Sequence, residues 1–363
     1  MERDGVVIAT GLGLATVAIA LALAISGGDL HVWDEQIYAG AAYSVLDGHV
    51  LVPHFQLADH GFEVGPFLEK PPLAVWLQAI SMAIFGETPV AARLPSALAA
   101  GGVVALTVLL GKRWFGLLAG AFAGGVLLVT NAMRSTHAMQ HAVTDMQLLF
   151  WGLLAVYAAD RVRDADSLRR WALVSGGALG AAIMTKGVAG VPFVLLVLPL
   201  AVRKPMRYLR AGLWAVIALL AIALPWHVLA YVAYPTEFVE EYIVEQIFMR
   251  SQGLFSQYTP GGLIPGSNFP YLKSIPSYFD VAFVGALGGL IADIYRLRDQ
   301  WRPSFETAFC YVWAIFFPLG YAAAGGNFIW YMLPSAIPLA LLAGRFAAPV
   351  ADLVVTRTAL LRR

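Results

Sequence analysis

Long apolar runs alternate with short polar breaks along this chain. They fall near residues 5–26, 89–111, 117–133, 143–160, 170–185, 187–202, 209–230, 279–296, 305–323 and 328–347. A helix that crosses a bilayer needs about 20 apolar residues, because only a helix satisfies its own backbone hydrogen bonds in lipid. The pattern predicts an all-α, polytopic transmembrane bundle of about ten spans. A further apolar helix, 72–86, is too short to count as a span. Making it one would reverse the side of every later loop, so it is expected to lie on the membrane surface. The first run is longer than the core of a signal peptide and reads as an uncleaved anchor. Two amphipathic helices are expected outside the spans. One starts at Asp34-Glu35, repeats Ile37, Ala41 and Val45 at helical spacing, and stops at Asp47-Gly48. The other covers 236–250, with Phe238, Tyr242 and Ile243 towards lipid. Its Glu237, Glu241 and Glu245 stand in one line, where like charges disfavour a helix.

Composition agrees with a membrane domain. Of 363 residues, 59% are hydrophobic and 13% charged, with a mean hydropathy of +0.71. A soluble domain is about 45–50% apolar and about 25% charged. A net charge of +1 argues against nucleic acid as a partner. Cys310 is the only cysteine, so no intrachain disulfide forms, and its apolar setting reads as packing. Charge also sets an orientation. With Met1 inside, only Lys70, Arg93, Arg134, Lys186, Arg250 and Lys273 fall outside, and the other 18 of 24 basic residues are cytoplasmic. The long loops 27–88 and 231–278 are then extracytoplasmic and both termini cytoplasmic. Residues 1–350 read as one transmembrane catalytic domain, and 351–363 as a cytoplasmic tail.

The chemistry-bearing residues gather in those outer loops. Asp34 reads either as the N-cap of its helix or, with Glu35, as a carboxylate pair able to take a proton from a hydroxyl. In Glu69-Lys70-Pro71-Pro72, two prolines fix a stiff turn that holds Glu69 and Lys70 in place. They are either an exposed ion pair or, through Lys70, an anion site. His137, His141 and Asp145 are spaced to share one face of a helix, which suits a divalent metal or simply a polar helix end. Asp145 enters a span, where ionisable groups are usually functional. Lys186 occupies a very short outer turn, and His227 lies near an outer helix end. Arg250 closes the second amphipathic helix, within reach of a phosphate.

Five segments in order carry a resemblance. They are Asp34-Glu35, Glu69-Lys70-Pro71-Pro72-Leu73 with Trp76, Ala92-Arg93-Leu94-Pro95-Ser96, Thr185-Lys186-Gly187 and Pro225-Trp226-His227. Together they resemble the GT-C class of integral-membrane glycosyltransferases, in the branch of protein O-mannosyltransferases and lipid A aminoarabinose transferases. The resemblance implies an inverting transfer of a sugar from a polyprenyl-phosphate donor to an acceptor hydroxyl. It assigns Asp34 as base and Lys70 as a donor-phosphate ligand; by position alone, Arg250 is a further phosphate candidate, and Lys186 reads either as another or as a plain interface anchor. Glu35 and Asp145 join Asp34 as catalytic candidates, supported by Glu69, Tyr38 and His227. The implied partners are a polyprenyl-phosphate-linked sugar, an acceptor and the bilayer.

Two departures stand out. Relatives are commonly longer than this chain, and Gly326 to Pro334 lacks the basic residue that often precedes the Tyr-x-Leu-Pro pattern. Some relatives bind a metal between the Glu of the Glu-Lys-Pro-Pro motif and a histidine. Gln246 stands at that histidine's place, which weakens the expectation for Glu69. Two rivals share the composition. A transporter or flippase of an amphipathic lipid would place ionisable groups near the bilayer midplane, whereas here they gather in outer loops. A non-catalytic member that only binds polyprenyl lipid has the same pattern.

Overall fold

The computed structural model describes residues 2–31, 33–55, 65–249, 269–298, 302–323 and 328–361. In chain order its helices are α1 (Glu2–Ile25), α2 (Asp34–Leu46), α3 (Leu73–Phe85), α4 (Pro89–Phe115), α5 (Leu117–Val129), α6 (Asn131–Arg134), α7 (Asp145–Val162), α8 (Leu168–Lys186), α9 (Val191–Val197), α10 (Pro205–Ala233), α11 (Pro235–Glu237), α12 (Ile275–Leu297), α13 (Phe305–Ala323) and α14 (Ala336–Leu361). A π-helical stretch, Phe238–Met249, continues α11, and 3-10 turns flank α9. No strand occurs among the described residues, only an isolated bridge between His54 and Pro66.

Seven helices among the described residues are long and apolar enough to cross a membrane. This is fewer than the ten apolar runs, for identifiable reasons. The helix α5 has 13 residues. The helix α7 has 18 but carries Asp145, Asp160 and Arg161 at its ends. The runs at 170–185 and 187–202 form one helical path, Leu168–Arg203, interrupted at Gly187. Gly187 has φ 58°, a left-handed conformation that glycine adopts without strain. The chain turns there so sharply that Gly190 comes back against the backbone of Ala182 and Ile183.

The chain folds as two compact units. The first comprises Met1–Ile19, Gly101–Ser135 and Gly266–Arg363. In it α14 packs on α5 and α12. Gly344 lies against the backbone of Ala119 and Ala123, the small-residue packing that lets helices approach in lipid. Arg345 of α14 forks onto Asp293 of α12 at 2.7 and 2.9 Å, and the Tyr311 hydroxyl of α13 donates to the same carboxylate. Cys310 is fully buried, as packing alone requires.

The second unit comprises Ala20–Ala100 and Thr136–Pro265. Here α8 packs between α7 and α10, and α2 packs on α3. The helix α2 runs from Asp34 to Leu46 as the pattern required and ends at Asp47 and Gly48, which has φ 107°. The segment after it is tied down by two indoles. Trp76 Nε1 donates to the Val50 carbonyl at 2.7 Å, and Trp226 Nε1 to that of Leu51 at 2.9 Å.

One expectation fails here. Phe238 and Tyr242 do not face lipid. Each is 6% exposed and packs against Trp226, because the aromatic surface of α10 offers them a better burial than lipid. Glu237, Glu241 and Glu245 do stay close, since, after burial and Glu69, the charges of Glu245 and Glu237 both push the Glu241 carboxyl up, although the stretch is π-helical from Phe238.

Candidate functional site

The site is built in the second unit around Arg93, on the first turns of α4. Arg93 is 1% exposed, and its guanidinium is fully engaged. It donates to the carbonyls of Ser26 (2.7 Å), Gly28 (3.1 Å) and Asp29 (2.8 Å), and to both carboxylate oxygens of Glu35 (2.9 and 2.7 Å). One side chain thus fixes the chain leading into α2 and the first turn of α2 itself. Glu35 accepts further hydrogen bonds from the backbone N–H groups of His31 and Ala142. Burial pushes its carboxyl up, but Arg93 and these two N–H groups pull it further down, so it stays ionised. Both Glu35 oxygens are spent on structure, so the candidate catalytic role for Glu35 becomes an anchoring one.

Its neighbour Asp34 is far less enclosed. It is the first residue of α2, and the N-cap is Trp33, with no side-chain capping bond. The capping alternative for Asp34 is therefore overturned. The Asp34 side chain is 46% exposed and lies 3.4 Å from His137 Nε2. The other ring nitrogen, Nδ1, is 3.2 Å from Asp145 Oδ2. Lys186 Nζ contacts Asp145 Oδ1 at 2.6 Å. Asp34, His137, Asp145 and Lys186 thus form one chain of alternating partners, from an exposed carboxylate to a buried ion pair.

His137, His141 and Asp145 do not share a helix face. The backbone from 135 to 144 is a series of turns, His137 has φ 65°, and α7 begins only at Asp145. The turns are pinned by Gln78 Nε2 to the Ala142 carbonyl (3.0 Å), Ser96 Oγ to that of Val143 (3.1 Å) and Ser26 Oγ to that of Gln140 (3.3 Å). Trp33, at φ 78°, and His137 are two non-glycine residues held at positive φ. Strain of this kind persists where surrounding contacts over-determine the backbone, and it concentrates at functional sites.

Lys70 stands across Tyr38 from this chain. Its Nζ is 5.5 Å from the centre of the Tyr38 ring and 3.4 Å from Glu69 Oε2. Tyr38 is 3% exposed. Burial first, and then the charge of Asp34, push its phenol well above the usual value, so it remains a neutral hydroxyl. Glu69 also accepts from Gln246 Nε2 at 3.4 Å. His227 Nδ1 lies 2.7 Å from the Ala223 carbonyl, which leaves Nε2 to accept from the Tyr242 hydroxyl at 2.8 Å. Tyr242 in turn packs against Gly187, at the turn that carries Lys186.

The candidate metal residues are not brought together. His137 has a carboxylate at each nitrogen, and Glu69 faces Lys70 and Gln246. His141 is pushed down to about 4, by burial first and then by His31, His137 and Arg93 against the opposing pull of Glu35. Its ring stacks at a tilt on His31, with centroids 4.9 Å apart. Among the described residues, no three His, Cys, Asp or Glu side chains form a group that could hold a metal ion. Arg250 lies outside the described residues. Arg93 and its partners were not foreseen from the sequence. The signal was the Ala-Arg-Leu-Pro-Ser segment, which reads in sequence only as a motif leading into a span.

Comparison with known proteins bears out the resemblance. The sequence model of the dolichyl-phosphate-mannose-protein mannosyltransferase family matches residues 69–228. The undecaprenyl phosphate-alpha-4-amino-4-deoxy-L-arabinose arabinosyl transferase of Pseudomonas savastanoi pv. phaseolicola is 28% identical over 94% of this chain and 60% of its own length. Its counterpart in Aeromonas salmonicida is 27% identical over 88% of this chain and 56% of its own. The chain thus spans at most 60% of the length of these two relatives. Among solved structures, ArnT from Cupriavidus metallidurans bound to undecaprenyl phosphate superposes with a TM-score of 0.71 at 23% identity, covering 99% of this chain and 64% of that one. The oligosaccharyltransferase of Archaeoglobus fulgidus in the apo form gives 0.60 at 15% identity, covering 96% and 51%. These likenesses show the fold: a multi-pass membrane helix bundle that resembles the GT-C glycosyltransferases, and the aminoarabinose-transferase branch in particular.

Proposed function

We propose that this domain is an inverting glycosyltransferase that moves a sugar from a polyprenyl-phosphate carrier to an acceptor hydroxyl. The observation that carries the reading is the half-exposed Asp34 carboxylate, backed by His137 and Asp145, with Lys70 standing across Tyr38. Asp34 takes the proton of the acceptor hydroxyl as that oxygen attacks the anomeric carbon. The bond from that carbon to the phosphate oxygen breaks on the opposite face. Lys70 holds the phosphate and stabilises the negative charge that collects on it. His137 aims Asp34, and Asp145 with Lys186 aims His137. Lys186 is bound closely to Asp145 at 2.6 Å and Lys70 more loosely to Glu69 at 3.4 Å, so among the described residues Lys70 is the better placed of the two to serve the donor, with Arg250 as a second candidate. Tyr38 and Glu69 position Lys70. His227, through Tyr242, braces the turn that carries Lys186.

The bilayer holds the polyprenyl tail, and the two long loops with the site lie on the extracytoplasmic face, both termini being cytoplasmic. The 18-to-6 division of basic residues supports this orientation. A panel of radiolabelled polyprenyl-phosphate sugars, incubated with the purified protein and membrane extract, tests the reading. Transfer from at least one donor is expected, and it should stop when Asp34 is replaced by Asn. Binding without transfer across the panel would instead favour the non-catalytic lipid-binding reading.

A further inference from the structure

In the second unit, the turn between α7 and α8 and the start of α10 carry a basic cluster that the transfer chemistry does not use. The helix α8 has 19 residues between Leu168, at this cluster, and Lys186, beside Asp145, a length of about 28 Å. A bilayer core is about 30 Å thick, so the cluster lies at the membrane surface opposite the site. Its floor is rigid. Trp171, Tyr208 and Trp214 pack over the buried Val162, Ala172 and Ala211. The Arg207 guanidinium donates to the carbonyls of Val162 and Ala165, and the Tyr208 hydroxyl donates to that of Ala159 at 2.9 Å, which ties α10 to the end of α7.

On that floor the arginines are stacked rather than paired. Arg169 lies 4.1 Å from the centre of the Trp214 ring, and Arg161 and Arg170 lie 5.0 and 5.7 Å from that of Trp171. A stacked guanidinium spends its face, and its N–H donors stay available at the edge. Arg169 and Arg170 are exposed, and among the described residues no carboxylate or carbonyl accepts from their edges. Their position is also unfavourable as it stands. Both occupy the first turn of α8, and Arg207 and Arg210 stand near the start of α10; neither helix has an acidic residue in its first turn. The N-terminus is the positive end of a helix, which disfavours a cation and attracts an anion. Setting topology needs only charge, and α12 shows the easier place for it, with Arg296 and Arg298 at its C-terminal end. A local rule broken twice at one spot marks a functional feature.

An anion seated here would satisfy the stacked arginines and both helix ends together. The surface beside it is apolar: Met206, Leu209 and Leu213 recur at helical spacing along α10 and are 65%, 70% and 64% exposed. We propose that this cluster binds one anionic phospholipid, its phosphodiester held by the edges of Arg169 and Arg170 and its acyl chains lying along Met206, Leu209 and Leu213. A zwitterionic lipid carries the same phosphodiester, but its ammonium group meets arginines and two positive helix ends. The site is separate from the one around Lys70 and does not depend on the transferase reading.

The test takes the full chain, stripped of lipid in detergent, and titrates it with dioleoylphosphatidylglycerol, dioleoylphosphatidylcholine or the water-soluble headgroup glycerophosphoglycerol. Native mass spectrometry counts bound molecules, and the thermal midpoint is followed alongside. Phosphatidylglycerol should bind about ten-fold more tightly than phosphatidylcholine and raise the midpoint, and the soluble headgroup should do neither. Arg169→Lys combined with Arg170→Lys keeps the net charge but loses the planar fork. It should bring phosphatidylglycerol down to the level of phosphatidylcholine. Arg298→Lys, the control, should leave binding as in the wild type. Each variant is judged by its change on adding lipid, so a lower starting midpoint does not mask the result. Equal binding of the two lipids by the wild type, or a preference that survives the double substitution, would overturn the proposal. So would a loss of equal size in Arg298→Lys, or a soluble headgroup that binds as tightly as the lipid.

Discussion

Asp34 and Glu35 are neighbours with opposite fates, and the difference is set by what each carboxylate touches. Asp34→Asn keeps shape and hydrogen-bonding capacity but cannot take a proton. Turnover with saturating donor should fall about 10²–10⁴-fold, with donor binding and thermal stability unchanged. Turnover near the wild-type level would move the proton acceptor to Asp145. Glu35→Gln should fail differently, because it leaves the Arg93 guanidinium buried without its counter-charge, a loss of about 3–5 kcal/mol. The expected result is a marked drop in thermal midpoint, with activity lost only in proportion to unfolded protein. Lys70→Ala should weaken donor affinity while the midpoint holds; intact affinity with lost stability would make Lys70 a structural residue. The sequence marked Asp34, Lys70 and Asp145 through motif order and through their place in polar loops. It could not divide labour between Asp34 and Glu35, because that division depends on Arg93, which is 58 positions further on. Nor could it show His137 between two carboxylates, because helical spacing was assumed where the chain makes turns.

Among the elements, the spans and α2 were legible because hydrophobic periodicity is a local property. The segment 236–250 was only half legible. Its amphipathic character was visible, but its inward face depended on the aromatic surface of α10. That burial has a titration consequence at Glu241, which burial first, and then the charge of Glu69, push up to about 7 from an ordinary 4.5. Between these values the unfolded chain has released the proton and the folded one has not. Stability therefore falls as pH rises from about 4.5 to about 7. Glu241→Gln removes the penalty, so its thermal midpoint should overtake that of the wild type between about pH 4 and about pH 8. A gap that is constant over that range would mean that Glu241 ionises as it does in water.

For the molecule as a whole, orientation is the property most open to a direct test. Cys310 is fully buried, so it contributes little background to thiol labelling. Glu87→Cys, in the exposed turn between α3 and α4, should react with an impermeant maleimide in intact cells. Asp166→Cys, in the exposed turn between α7 and α8, should react only after lysis. The reverse pattern would place the site on the cytoplasmic face. The network around Arg93 bears on biosynthesis as well. Glu35 bonds to Arg93, 58 positions later, and to Ala142, 107 positions later. At a translation rate of about 5–20 residues per second, the ribosome makes Glu35 about 5–20 s before Ala142. Through that interval a carboxylate and then a guanidinium, both destined for burial, must stay hydrated while the nascent chain lacks the turns that will cover them. A ribosomal pause between codons 93 and 142 prolongs that state, and pulse-chase labelling is expected to show a lower yield of mature protein without a single native contact altered.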